Sequence, residues 1–286
     1  MGMNKLNHEQ RCAVIRCLCE GCSIRSTVRI TGVSMNTIQK LTRELGAACL
    51  AYQDKVFRGL TVQRAQCDEI WCFSYCKSKN VPDHMRDDPT VGSIWTWTMM
   101  DSATKLIFSW RLGSRDAGTG QLFMNDVANR VHNRMQLTSD AHGVYLTAVE
   151  TSFGVGIDYA QLVKLYGNPS PEEALRYSPG KCLGAKKRPL IGSPDQDHIS
   201  TSYAERQNLN IRMQNRRFTR LTNAFSKKAE MLAHSISITF FYHNFVRRHQ
   251  TLRMPPALKH GVASHVWSIS DMVKLADEAE LDRKAI

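Results

Sequence analysis

The sequence contains no run of 18 or more apolar residues, so no segment of it is expected to span a bilayer. Residues 1–10 lack the apolar stretch of a signal peptide, and we therefore expect a cytoplasmic protein. Acidic residues are scarce beside basic ones: 26 Asp and Glu stand against 38 Lys and Arg, for a net charge of +12. This imbalance favours a polyanionic partner, with nucleic acid ahead of an anionic membrane.

The sequence also lacks the cysteine pairing of a disulfide framework. Its nine cysteines are an odd number, and without an export signal we expect them to be reduced thiols. Cys12, Cys17, Cys19 and Cys22 invite a zinc interpretation. Their spacing has no two separated pairs, and the four could not converge without breaking the helix that carries them. We interpret them as small core residues.

The first 60 residues carry the pattern of three helices. Asn7 is a candidate N-cap for the first, a second begins at Ser23, and Ser34 caps a third that runs to Leu45 after a Gly32 turn. This arrangement predicts a helix-turn-helix, in which the third helix lies in the DNA major groove. The residues expected to contact DNA from it are Asn36, Gln39, Lys40 and Arg43. The alternative is a small helical bundle that only mediates contacts.

The central part of the chain predicts three consecutive strands, a helix and a fourth strand. Residues 64–77, 91–100 and 105–112 form the three strands, as a meander with a hairpin turn at 101–104. The fourth strand ends at Asp140. A right-handed crossover would place it beside the first strand, which brings Asp68 and Asp140 together.

Basic residues dominate the next part of the chain. A fifth strand over 158–166 leads into an irregular basic insertion, about 167–198, whose Lys186, Lys187 and Arg188 are candidate DNA contacts. A helix over 199–217 then places Glu205, Asn208, Arg212 and Arg216 on one face. The alternative for this helix is a solvated basic face on which Glu205 makes only local ion pairs. A long helix, 224–248, is apolar enough to pack on the sheet, and 251–286 is expected to be a C-terminal tail.

Asp68, Asp140 and Glu205 are the candidate catalytic and metal-binding residues. Carboxylates are the side chains that hold Mg²⁺ in proteins, and paired divalent ions can act on both the attacking and the leaving oxygen of a phosphodiester. An Asp in one strand, an Asp at the end of a neighbouring strand and a Glu in a later helix form the layout of an RNase H-like metal site. The case depends on all three acids together, in a basic surround.

The chain resembles bacterial insertion-sequence transposases of the DDE class, in the family named for the first insertion sequence described. The resemblance covers about residues 61–258. It depends on these segments: Asp68-Glu69-Ile70-Trp71, Thr138-Ser139-Asp140, Tyr203-Ala204-Glu205-Arg206-Gln207-Asn208, Phe225-Ser226-Lys227-Lys228, Tyr242-His243-Asn244-Phe245, His249-Gln250-Thr251-Leu252 and Pro256-Ala257. The best-known members carry a zinc-binding segment before the helix-turn-helix, for which this sequence offers no adequate ligand set.

The resemblance implies an α/β fold with an RNase H-like mixed sheet flanked by helices, and an all-α helix-turn-helix domain before it. The expected division is 1–60 for DNA binding, 61–250 for catalysis and 251–286 for the tail. It further implies Mg²⁺-dependent cleavage at transposon ends and strand transfer into target DNA, with Mn²⁺ as a substitute. The expected partners are double-stranded DNA, as terminal inverted repeats and target, and further copies of the chain. Two alternatives stay open: another RNase H-like nuclease or integrase, and a catalytically inactive DNA-binding regulator.

Overall fold

The computed structural model describes residues 6–167, 182–220 and 222–285 of the chain. Within them, one mixed sheet is built from β1 (Arg64–Ser74), β2 (Gly92–Asp101), β3 (Ile107–Gly113), β4 (Gln136–Asp140), β5 (Asp158–Tyr166) and β6 (Cys182–Ile191). The strands lie in the order β3-β2-β1-β4-β5-β6. β1, β2 and β3 form an antiparallel meander, β4 and β5 run parallel to β1, and β6 is antiparallel to β5. The protein is therefore α/β, with helices flanking a mixed sheet.

The crossover from β3 to β4 positions the candidate acids. The turn between β2 and β3 is held by Asp101, whose carboxylate accepts hydrogen bonds from the backbone N–H groups of Ala103 and Thr104. Helix α4 (Ala117–Ala128) follows, capped by Asp116 through the N–H of Thr119. The chain then enters β4 beside β1, with Gln66 opposite Thr138. The predicted neighbourhood of the first and fourth strands is confirmed, and α5 (Val144–Phe153) leads on to β5.

The three N-terminal helices begin where the sequence predicts. They are α1 (His8–Cys19), α2 (Ile24–Thr31) and α3 (Met35–Val56), and the side chains of Asn7, Ser23 and Ser34 each accept a backbone N–H at the start of a helix. Helix α3 continues for eleven residues beyond Leu45. Its apolar side packs on α7 (Ala229–Phe241), and both helices contribute to a buried cluster that includes the sheet. The boundary at residue 60 stays a prediction, but the core is continuous across it.

Two stretches differ from the sequence prediction. Residues 182–191, expected to be irregular, form the edge strand β6, which pairs with β5 from Cys182 to Ile191; the remainder of the insertion, 168–181, lies outside the described residues. A strand held by main-chain hydrogen bonds and exposed on both faces has no alternating pattern to detect.

The C-terminal stretch, expected to be a tail, contains α8 (Pro256–His260) and α9 (Ile269–Ala285). Helix α9 packs against the N-terminal helices, with Met272 and Val273 fully buried and Asp277 2.6 Å from the guanidinium of Arg11. Arg11 and Asp277 are 266 residues apart in sequence, so no local pattern predicts the contact. None of the helices in the described residues is both long and apolar enough to cross a membrane.

Candidate metal centre and nucleic-acid interface

Three carboxylates meet where β1 and β4 lie side by side. Asp68 and Glu69 are consecutive on β1, and Asp140 is the last residue of β4. One oxygen from each lies within 4.8 Å of the others. The structure thus brings Asp68 and Asp140 together, as the strand order predicted. We call Asp68, Glu69 and Asp140 the acidic cluster.

Sequence reasoning missed Glu69. Consecutive strand residues point to opposite faces, so strand alternation alone puts Glu69 on the face away from Asp68. In the structure the Asp68 side chain turns back toward its neighbour, and its Oδ1 accepts a 2.9 Å hydrogen bond from the backbone N–H of Glu69. The only signal in the sequence was the adjacency of the two acids.

The acidic cluster carries three carboxylates, and the nearby Arg115 neutralises only part of their negative charge. Arg115 donates from Nε to Glu69 Oε1 at 3.0 Å and lies 3.7 Å from Asp140 Oδ2. His142 donates its backbone N–H to Asp140 Oδ1 at 2.9 Å. The Glu69 side chain is only 1% exposed, and its Oε2 is buried without a hydrogen-bond partner in the described part of the chain. An unpaired buried carboxylate oxygen is costly unless a cation or a donor reaches it.

The acidic cluster shifts the titration of Asp68. Burial raises the pKa of Asp68 to about 7, and repulsion from Glu69, Asp140 and Glu205 adds to the shift. A cation bound among these carboxylates would reduce the repulsion that acts on Asp68. The oxygen-only donor set is the kind that hard divalent cations such as Mg²⁺ prefer.

Helix α6 (Ser202–Gln214) carries Glu205 past this cluster. Its first turn is tied to β1, because Gln66 Oε1 accepts the backbone N–H groups of Tyr203 at 2.8 Å and Ala204 at 3.2 Å. One turn beyond Glu205, Asn208 donates a 2.8 Å hydrogen bond to Asp68 Oδ2. The face of α6 that holds Glu205 and Asn208 therefore lies over the acidic cluster.

Glu205 itself is not part of the 4.8 Å group found among the described residues. Its Oε1 lies 2.5 Å from Lys164 Nζ on β5 and accepts a hydrogen bond from Thr201 Oγ1. Its charge still acts on the pKa of Asp68. The structure thus places Glu205 on the helix face that Asn208 joins to Asp68, in an ion pair with Lys164 that a metal would have to displace. Its role as a metal ligand stays a prediction.

A basic groove lies between the N-terminal helices and the segment before α7. It has a volume of about 770 Å³ and is lined by six basic residues and no acidic one: Arg25, Arg43, Arg216, Arg217, Lys227 and Lys228. Gln39 also lines it. Three of the predicted DNA contacts, Gln39, Arg43 and Arg216, are therefore brought to one surface. Arg43 is 3.6 Å from Glu230 at its rim.

Arg217 differs from the other basic residues of the groove because its side chain is buried and hydrogen-bonded within the protein. Burial lowers the pKa of Arg217 to about 10. Its Nε donates to Ser226 Oγ and its Nη1 to Ser235 Oγ, each at 2.7 Å. We therefore treat Arg217 as a residue that fixes the groove wall rather than as a mobile phosphate contact.

The other predicted DNA contacts are dispersed. Arg216 lies in a separate turn after α6, so the predicted four-residue stripe ends at Arg212. Asn36 and Lys40 are exposed on α3, and Lys40 is 3.8 Å from Glu44. The exposed residues Lys186, Lys187 and Arg188 lie on β6, where Lys187 donates to the backbone oxygen of Gln196.

No protein-family model matches the chain, and no curated protein matches it. Among solved structures, similarity is found to the piggyBac transposase synaptic complex with hairpin DNA, determined by cryo-electron microscopy. The match covers 96% of this chain and 72% of that chain, with 12% identity and a TM-score of 0.42. A likeness of this size does not by itself assign a function to the chain.

Proposed function

We propose that the chain is a metal-dependent DNA transposase of the DDE class, with an RNase H-like catalytic core. The observation that carries the proposal is the meeting of Asp68 and Asp140 at the adjoining parts of β1 and β4, with Glu205 on the helix that packs on β1. The three-strand meander followed by a crossover to a strand beside β1 supports the RNase H-like assignment. The finer assignment, to the insertion-sequence family named above, is supported by the motifs in the sequence.

The acidic cluster fits divalent cations. It offers only oxygen ligands, it holds a buried carboxylate oxygen without a partner, and burial together with mutual repulsion raises the pKa of Asp68. Asp68 and Asp140 would hold the ions with Glu205, and Glu69 is the other carboxylate in reach. When bound, Mg²⁺ or Mn²⁺ would supply Lewis-acid stabilisation of the attacking and leaving oxygens.

The residues around the cluster have positioning roles in this proposal. Asn208 fixes the orientation of Asp68, and Gln66 fixes the start of the helix that carries Glu205. Arg115, in the segment between β3 and α4, orients Glu69 and Asp140. Because these contacts exist before DNA arrives, Asp68 and Asp140 need little reorganisation on binding, whereas Glu205 would have to leave Lys164.

DNA is the proposed substrate. The net charge of +12 and the basic groove provide the positive surface that a phosphate backbone needs. Helix α3 would recognise terminal inverted repeats, with Gln39 and Arg43 facing the groove and Asn36 and Lys40 at the exposed start of the helix. Joining two ends would require more than one copy of the chain, and we include assembly on DNA in the proposal.

The test is strand cleavage by the purified chain. Oligonucleotides that carry the sequences flanking its gene should be nicked in the presence of Mn²⁺, and oligonucleotides of scrambled sequence should be cut less. Asp140→Asn should abolish the nicking. Binding without nicking by the wild-type chain would favour an inactive regulator. Equal nicking of flanking and scrambled sequences would favour another RNase H-like nuclease.

A further inference from the structure

Helix α6 has a second polar face, turned away from the acidic cluster. Tyr203, Arg206, Gln207 and Asn210 recur at helical spacing, roughly 180° around the helix from Glu205 and Asn208, because each residue turns the helix by about 100°. These four residues line a pocket of about 440 Å³. Its other wall is formed by the β2–β3 turn and by residues 247–252, which follow α7. We call it the α6 pocket.

The α6 pocket is strongly basic. Its lining includes Lys105, Arg206, Arg247 and Arg248 and no acidic residue. Within the described part of the chain, no carboxylate forms an ion pair with any of the three arginines. Asp101, next to the lining residue Met100, is occupied by the turn, where it accepts from the N–H groups of Ala103 and Thr104 and from the Thr104 hydroxyl.

Lys105 is held in place toward the pocket. Its Nζ lies 3.1 Å from the centroid of the Tyr203 ring and donates to the backbone oxygen of Ser102. Burial lowers the pKa of Lys105 to about 8, although Asp101 opposes the shift. The ammonium group is thus a fixed and poorly neutralised cation.

A buried donor in the same lining has no partner. Gln207 is 2% exposed, its Oε1 accepts from Asn210 Nδ2 at 3.2 Å, and its Nε2 makes no hydrogen bond in the described structure. His249 also lines the pocket with an unpartnered Nδ1, and burial lowers the pKa of His249. The unsatisfied amide donor can be satisfied by any acceptor, and the four cations in the same lining favour an acceptor that carries negative charge.

We propose that the α6 pocket binds a phosphate group of a DNA strand. This phosphate is a different one from the phosphate that would react at the acidic cluster. Arginine forks and a lysine are the side chains that recognise phosphate oxygens, and the Gln207 amide would add a neutral donor. An α-helix with its side chains is about 10–12 Å across, so a strand crossing α6 would span a few nucleotides between the two sites. The identity of the ligand as DNA rests on the proposed function; the phosphate chemistry rests on the pocket alone.

Binding should be measured without catalysis, on the full chain in EDTA. The probes are a fluorescent single-stranded oligonucleotide, unlabelled dAMP and inorganic phosphate, the last two as competitors. Arg206→Ala and Arg247→Ala should each weaken oligonucleotide binding at least about fivefold at low salt. Lys55→Ala, which removes an exposed cation on α3 away from the pocket, is the matched control and should leave binding within about twofold.

Gln207→Met separates a ligand role from a structural one. It removes the unpaired donor at similar volume, together with the acceptor of the half-buried Asn210 amide, which water can replace. The melting temperature should therefore change little while oligonucleotide binding weakens about tenfold. A loss of melting temperature with unchanged binding would overturn the proposal, as would unchanged binding in both arginine variants. Competition by dAMP or inorganic phosphate as tight as by the oligonucleotide would overturn the assignment to DNA and leave a small phosphate ester as the ligand.

The two proposals can fail separately. If the wild-type chain shows no metal-dependent nicking but the α6 pocket variants still lose oligonucleotide binding, the transposase proposal fails and the phosphate pocket stands. If nicking depends on Asp140 but the oligonucleotide affinity is unchanged in the Arg206, Arg247 and Gln207 variants, the pocket proposal alone fails.

Discussion

Asn208 Nδ2 donates a 2.8 Å hydrogen bond to Asp68 Oδ2, which joins helix α6 to the acidic cluster on β1. The two residues are 140 positions apart, and Asn208 is 6% exposed, with its Oδ1 unpartnered among the described residues. Together with the Glu69 N–H, which donates to Oδ1, this buried amide fixes the orientation of the Asp68 carboxylate. We therefore treat this contact as the link between the helix that carries Glu205 and the strand that carries the first acid.

Asp140→Asn should abolish metal-dependent nicking while leaving the fold intact. The substitution keeps size and retains an oxygen that can accept the His142 N–H, but it removes one charge from the acidic cluster. Loss of a charged ligand corresponds to several kcal/mol of transition-state stabilisation, so the rate should fall at least ~100-fold. Single-turnover nicking and the melting temperature check this together. Near wild-type cleavage would exclude Asp140 from the site.

Glu205→Gln and Glu69→Gln should separate the third ligand from its neighbour. We expect Glu205→Gln to slow cleavage at least ~100-fold while oligonucleotide binding survives or tightens, because the variant carries one negative charge fewer. Glu69→Gln should cut cleavage less and lower stability, because Arg115 loses its buried partner. Glu150→Gln, at an exposed position on α5, is the control. The reverse ranking would make Glu69 the third ligand.

Mn²⁺ should raise the melting temperature of the wild-type chain. A ligand that binds only the folded state stabilises it, by about 2.7 kcal/mol at a concentration 100 times its dissociation constant. Asp68→Asn and Asp140→Asn should each lose most of this increase, since each removes charge from the acidic cluster. Differential scanning fluorimetry with and without EDTA measures the effect. An equal increase in both variants would place the metal elsewhere.

Gly46→Ala should destabilise the protein, although alanine favours helices. A Cβ at Gly46 would lie 2.5 Å from Cβ of His234, so α3 and α7 would have to separate. Overpacking of this kind costs about 1–3 kcal/mol. Gly118→Ala on α4, where the nearest atom outside its neighbours is Asp116 Oδ1 at 3.6 Å, is the control and should be neutral or stabilising. Equal stability of the two variants in urea or thermal unfolding would contradict the close packing of the N-terminal helices on the core.

His243 should make stability depend on pH. Burial lowers the pKa of His243 to about 4, and its Nε2–H donates to the backbone oxygen of Lys105 at 3.0 Å. The unfolded state binds the proton near pH 6.5, so folding stability should fall as pH drops from about 6.5 to 4, by up to about 3 kcal/mol. His243→Gln should have a flatter profile over that window in urea unfolding. Parallel profiles for the two proteins would contradict the assignment.

Local patterns in the sequence determined much of the fold. Caps at Asn7, Ser23 and Ser34 marked the helix starts because a side-chain oxygen satisfies a free N–H at those positions. Apolar strand runs and the Asp101 turn gave the meander, and the handedness of the crossover placed Asp140 beside Asp68. Each of these follows from interactions between residues close in sequence or from a general rule of chain geometry.

The tertiary structure alone decided the rest. Three features join residues that are remote in sequence: the Gln66 cap on α6, the ion pair of Lys164 with Glu205, and the α6 pocket. A fourth feature, the approach of Glu69 to Asp68, runs against strand alternation. β6 and α9 were missed for the same reason, since an exposed edge strand and a docked terminal helix are stabilised by partners that no local window contains. The sequence thus determined which acids could form a site, and long-range packing decided which charges surround them.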